Sequence, residues 1–148
     1  MIGDRIARPA PRTVLRWLAA IVAAGLAAGP VGATHLPDHR FVVLGYVTDA
    51  AGRALADVPV VVTRLKTGLR HPTKTERDGF YLVVLHLHDE DQGDRLAVSA
   101  NGAEGEVAAR FDAKDKKVER GTRVDVRGRS VVEDRRAFAE TLRGYLGR

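Results

Sequence analysis

The chain has no cysteine, so no disulfide can staple it and no lipid can be attached through an N-terminal thiol. Its fold must rest on an ordinary apolar core. It also lacks an apolar run long enough to cross a bilayer: the segment WLAAIVAAGLAA, residues 17 to 28, falls short of the roughly 20 residues a spanning helix needs. There is no internal repeat and no low-complexity tract. Serine is nearly missing. Ser99 and Ser130 are the only two, and neither sits in a pattern that signals a nucleophile with histidine and carboxylate partners.

What is present begins with an address. Arg5, Arg8, Arg12 and Arg16 precede the apolar run, and the order basic, apolar, small-residue is that of a secretory signal peptide. The small residues Val31-Gly32-Ala33 put the favoured cut between Ala33 and Thr34. No arginine pair precedes the run, which points to general secretion rather than the twin-arginine route. An uncleaved leader would act as an anchor and still leave the domain outside the inner membrane. Residues 1–33 are therefore read as a leader, residues 34–40 as a polar lead-in, and the expected location is periplasmic or secreted.

Removing the leader changes the charge argument. The whole chain has 24 basic and 19 acidic side chains; without the leader's four arginines and one aspartate, 20 face 18, a net charge of +2. The high isoelectric point of the full chain is partly a property of the leader, so a nucleic-acid partner is not indicated.

From residue 41 the sequence breaks into short β-branched runs bounded by turn residues. FVVLGYVT (41–48), VPVVVTRL (58–65), FYLVVLHLH (80–88), RLAVSA (95–100), EVAARFD (106–112) and TRVDVRG (122–128) are the expected strands. Asp49 to Gly52 and Asp78-Gly79 supply tight turns, and Pro59 suits a strand start or an edge. AKDKKVERG, residues 113 to 121, reads as a solvated hairpin connection. The expected fold is an all-β antiparallel sandwich of about seven strands over residues 41–128.

Residues 129–148 depart from this pattern. Ser130 with Glu133 has the spacing of a capping box, and Phe138, Leu142, Tyr145 and Leu146 fall on one helical stripe. An amphipathic helix of about four turns is expected. Its arginines, Arg135, Arg136 and Arg143, are the candidate docking residues for a partner or a membrane surface. The reading preferred over docking is a helix whose apolar stripe covers the sandwich.

Two blocks carry a resemblance. Gly45-Tyr46-Val47-Thr48-Asp49-Ala50-Ala51-Gly52-Arg53-Ala54-Leu55-Ala56-Asp57-Val58-Pro59-Val60 and Thr75-Glu76-Arg77-Asp78-Gly79-Phe80-Tyr81 resemble the opening and the second block of the carboxypeptidase regulatory-like domain family, G-x-V-x-D-x-x-G-x-P-L-x-G-A-x-V and T-D-x-x-G-x-F/Y. Ala54, Asp57 and Glu76 depart from the family's proline, glycine and aspartate. The resemblance implies a transthyretin-like Greek-key sandwich that is not itself an enzyme. In such proteins the domain accompanies a catalytic domain or serves as an accessory module.

The stretch HLHDED, residues 86 to 91, looks most like chemistry. If Tyr81 points inward, period-two alternation sends Val83, Leu85 and Leu87 to the core and His86 and His88 together to the opposite face. Two neutral imidazoles can share zinc or copper. His86, His88, Asp89 and Asp91 are the candidate metal ligands, with His35, His39 or His71 as distant alternatives for a third donor. The alternating carboxylates from Asp89 to Asp94 also resemble half of a calcium loop, without its distal bidentate glutamate. No cofactor is required by this pattern; copper or zinc is the candidate metal and calcium the weaker one.

Enzyme readings fare poorly. Intradiol ring-cleaving dioxygenases use a related sandwich and a His-x-His iron pair, but they need two tyrosinate ligands, and the segment HPTKTERDG before the pair has no tyrosine. The tail Arg143-Gly144-Tyr145-Leu146-Gly147-Arg148 does not match the Tyr-Arg-Gly-Ser ending of the transthyretin-like hydroxyisourate hydrolases. The expected function is an exported, non-catalytic binding module for a protein or cell-envelope component. The alternative is a periplasmic copper- or zinc-binding protein. Membrane association is expected only through an uncleaved leader or the C-terminal helix.

Overall fold

The computed structural model describes residues 39–148; the leader, its cleavage point and His35 lie outside the described residues. Eight strands and one helix follow in order: β1 (Arg40–Thr48), β2 (Pro59–Arg64), β3 (Leu69–Lys74), β4 (Phe80–His86), β5 (Arg95–Ala100), β6 (Ala103–Ala108), β7 (Gly121–Arg127), β8 (Ser130–Glu133) and α1 (Phe138–Leu146). They form two four-stranded sheets, ordered β4-β1-β7-β8 and β3-β2-β5-β6. All neighbours are antiparallel except β1 and β7, which run parallel. The all-β sandwich with a C-terminal helix is thus as the sequence pattern predicts.

The inner faces meet in one core. Phe41, Val43, Val47, Tyr81, Val83, Leu85 and Leu87 of the first sheet pack against Val60, Val62, Leu96, Val98 and Val107 of the second. Tyr81 is buried as expected, and its hydroxyl donates to the Val124 carbonyl at 2.7 Å. Burial, and secondarily the charge of Asp125, push its phenol pKa up. A second, smaller core lies outside the first sheet, where Val42, Leu44 and Phe80 are covered by Phe138 and Leu142 of α1. This explains why β1 is apolar at consecutive positions: both of its faces are covered.

Three sequence-based expectations are corrected. Ser130 and Glu133 do not form a capping box, because SVVE is strand β8, with Val131 opposite Val126 and Ser130 opposite Arg127. The β-branched pair Val131-Val132 finds a ladder partner across the tight Gly128-Arg129 turn, where Gly128 takes a φ of 57°. Glu133 accepts from the Thr122 hydroxyl instead. The helix starts later and spans nine residues, Phe138–Leu146, with Asp134 Oδ1 accepting from the Ala137 amide at 3.1 Å.

The second concerns the six expected strand runs, which omit β3. LRHPTK shows neither alternation nor β-branched enrichment, yet it pairs with β2 along its whole length. It is an edge strand, where Pro72 is tolerated. The third concerns residues 113 to 121, which do not close a hairpin but cross from β6 in the second sheet to β7 in the first.

Candidate functional site

Strand β4 is an edge of the first sheet, and its alternation decides what faces outward. Tyr81, Val83, Leu85 and Leu87 are buried, whereas Val84, His86 and His88 are exposed. The two histidines therefore stand on one outer face, as period two requires. Antiparallel pairing places Arg40 of β1 opposite His86, and the Leu87 amide donates to the His39 carbonyl at 2.8 Å. This pairing carries His39 to the end of β4.

Three imidazoles consequently cluster. Ring centres are 4.4 Å apart for His39 and His88, 4.8 Å for His86 and His88, and 5.3 Å for His39 and His86. His39 is half-buried, and its Nδ1 is buried without a hydrogen-bond partner among the described residues. His71, on β3 in the second sheet, is not part of this contact.

The carboxylates proposed as further ligands are committed elsewhere. A 3-10 turn at Asp89–Asp91 breaks the strand alternation and aims both aspartates at cations. Asp89 pairs with Lys116 at 2.7 Å and with Arg120 at 2.9 Å; hydrogen bonds first from Lys116 and then from Arg120 hold its carboxyl below the usual range. Asp91 is buried, pairs with Arg64 and Lys66, and accepts from the His88 amide at 2.9 Å. Burial pushes its pKa up, but the His88 amide, Lys66 and Arg64 together outweigh that and hold it below the ordinary carboxylate value. Asp94 closes the same buried cluster through Arg64. Asp89 and Asp91, named from the sequence as candidate ligands, are ion-pair partners in this structure. Among the described residues, no three His, Asp or Glu side chains converge in the rotamers they adopt so as to hold a metal ion.

The helix arginines divide. Arg135 is half-buried and pinned, donating to Glu133 at 2.8 Å and reaching the Ala108 carbonyl at 3.5 Å, and so secures the approach to α1. Arg136 and Arg143 are exposed. Beside them the stripe is incomplete: Phe138 and Leu142 are buried and Tyr145 stacks on Phe80 at 4.8 Å, but Leu146 is 72% exposed. A groove of about 180 Å³ opens between α1 and the outer faces of β1 and β4. It is lined by Val42, Leu82, Val84, Leu142, Tyr145 and Leu146, with Arg40 and Glu119 also in its wall.

Neither Tyr46 nor Tyr81 reaches the histidines. Tyr46 pairs with Phe80 and Tyr81 with Gly45, five or six positions along the strands from Arg40 and His86, which is about 15–20 Å at the strand rise. Ser99 donates to the Val61 carbonyl in the second sheet, and Ser130 sits at the β7–β8 turn. No family model matches the chain, and no curated protein matches it. Among solved structures it is similar to the dioxygenase domain of a dioxygenase carbohydrate-binding protein fusion from the cellulolytic bacterium Streptomyces sp. SirexAA-E. That likeness has 15% identity and a TM-score of 0.37, and covers 68% of this chain and 79% of that one. A superposition so loose bears on neither activity nor ligand.

Proposed function

We propose that the protein is an exported, non-catalytic β-sandwich module that binds an apolar segment of a protein partner along the groove between α1 and β4. The observation that carries this reading is the groove itself. On a sheet face otherwise sealed by the helix, Val84 remains 47% exposed and Leu146 72% exposed, side by side with Leu82 and Tyr145. Contiguous exposed apolar surface of this kind marks interaction sites. The basic, apolar and small-residue order of the N-terminus supports export. Among the described residues no helix is long and apolar enough to cross a membrane. The resemblance of the two turn blocks to carboxypeptidase regulatory-like domains supports an accessory role, and the wide separation of Tyr46, Tyr81, Ser99 and Ser130 from the histidines supports a module without catalysis.

Site-specific photo-crosslinking in cells tests the reading. A photoreactive amino acid at position 84 or 146 should yield one discrete protein adduct, lost when Leu82 is changed to aspartate, while the same group at position 69 on the second sheet should yield none. Equal adducts at all three positions, or none at 84 and 146, would refute it. Co-sedimentation of the protein with anionic lipid vesicles, abolished by Leu146→Asp, would assign the groove to a membrane surface instead.

A further inference from the structure

We propose that His39, His86 and His88 form a three-imidazole site for one borderline divalent cation, zinc or copper(II). The site is independent of what the groove binds. Metal–nitrogen bonds of about 2.0–2.1 Å at tetrahedral angles set imidazole ring centres roughly 5 Å apart, and the three observed separations, 4.4, 4.8 and 5.3 Å, bracket that spacing. Among the described residues the His39 Nδ1 is buried and unpartnered, which is costly for a polar atom unless something fills the need. A metal ion bound by the three rings would fill it.

The surroundings select the cation. The nearby hard oxygen donors, Asp89 and Asp91, are taken by Lys116, Arg120, Arg64 and Lys66. A set of nitrogen donors without carboxylate suits zinc and copper and disfavours calcium and magnesium. The backbone beneath the rings is fixed at both ends, by the Leu87 amide on the His39 carbonyl and by the His88 amide on Asp91. Asp91, itself anchored by Arg64, is therefore a positioning residue for His88. In the side-chain positions they adopt, the three rings touch without forming a group that could hold a metal ion. His86 and His88 are exposed, so their rings are free to turn about their side-chain torsions and converge with that of His39. Three protein ligands leave a fourth position for water or a donor from a partner.

The test is calorimetric titration of the protein, purified without an affinity tag and stripped with chelator, using zinc, copper(II) and calcium salts in turn. One equivalent of zinc or copper should bind, and calcium should not. Loss of an outer-sphere partner alone weakens metal sites by about 10–100-fold, so His39→Gln, His86→Ala and His88→Ala should each weaken binding by roughly 100-fold or more, while His71→Ala leaves it unchanged. Ring resonances of all three histidines should shift together during substoichiometric addition of zinc, a readout that needs no variant. The proposal is overturned by the absence of saturable zinc or copper binding. It is equally overturned if a folded His39→Gln protein binds as tightly as the parent, since the third ligand is then not His39.

Discussion

The ring of Phe138 lies so close over Gly121 that a Cβ at residue 121 would stand 2.3 Å from its Cζ and equally close to the Val42 carbonyl oxygen. The first residue of β7 thus has no side chain because the first residue of α1 occupies the space. Gly121→Ala should destabilise the protein by about 1–3 kcal/mol, the usual cost of overpacking against backbone. Gly144 is the contrasting case: it is exposed in the helix, and an added methyl would meet nothing within 4 Å, so Gly144→Ala should stabilise by about 0.5–1 kcal/mol through helix propensity alone. Urea unfolding of the two variants should move in opposite directions; a shared sign would show that α1 is not seated as described.

Removing α1 should be severe. Ending the chain at Arg136 uncovers Val42, Leu44 and Phe80, which Phe138 and Leu142 now cover, and each fully exposed side chain of this size forfeits about 1.5–3 kcal/mol of burial. The truncated protein should aggregate or melt at a clearly lower temperature. A monomeric truncation with an unchanged melting temperature would show that the helix only docks.

Tyr81 offers a graded pair of substitutions. Tyr81→Phe keeps the ring and strands the Val124 carbonyl, which the hydroxyl now satisfies; the expected cost is about 1–3 kcal/mol. Tyr81→Ala also empties the core and should cost about 3–5 kcal/mol. If the two losses are equal under chemical denaturation, the ring contributes nothing and its assignment to the core is wrong.

The Arg64 cluster predicts an acid response. Asp91 has a folded-state pKa below its ordinary value, so its contribution is complete above the unfolded carboxylate pKa of about 4 and is lost as the pH falls through the depressed folded value. Arg64→Ala leaves two carboxylates, 7% and 12% exposed at the side chain, with Lys66 as the remaining paired cation among the described residues. It should cost about 3–5 kcal/mol at neutral pH, and the gap to the parent should narrow below about pH 4 as those carboxylates protonate. A gap that is constant with pH, measured by thermal melts from pH 7 to 3, would remove the ion cluster from the account.

Much of the sandwich is legible in the sequence because the relevant forces are local. Alternation in FYLVVLHLH determines which side chains of β4 face the core, since successive side chains in a strand point to opposite faces whatever pairs with it. Turn chemistry is equally readable: Gly52 and Gly79 take φ of 86° and 79°, the left-handed conformations that their Asp-containing turns require. The N-terminal half of the C-terminal segment misleads because Ser130 to Glu133 satisfies two local patterns, a capping box and a β-branched strand, and only a neighbour at hydrogen-bonding distance, β7, chooses between them.

The site divides along the same line. By itself the sequence determined that His86 and His88 share a face, because that follows from a spacing of two. It could not determine which third histidine joins them, since His39 reaches the pair through the antiparallel register of β1 against β4, across an interval of 47 residues. Nor could it assign Asp89 and Asp91, whose cations Lys116, Arg120 and Arg64 come from a crossover loop and the opposite sheet. Periodicity fixes the direction of a side chain relative to its own strand, but what it meets there depends on which other strands are packed alongside, and that is a property of the tertiary structure alone.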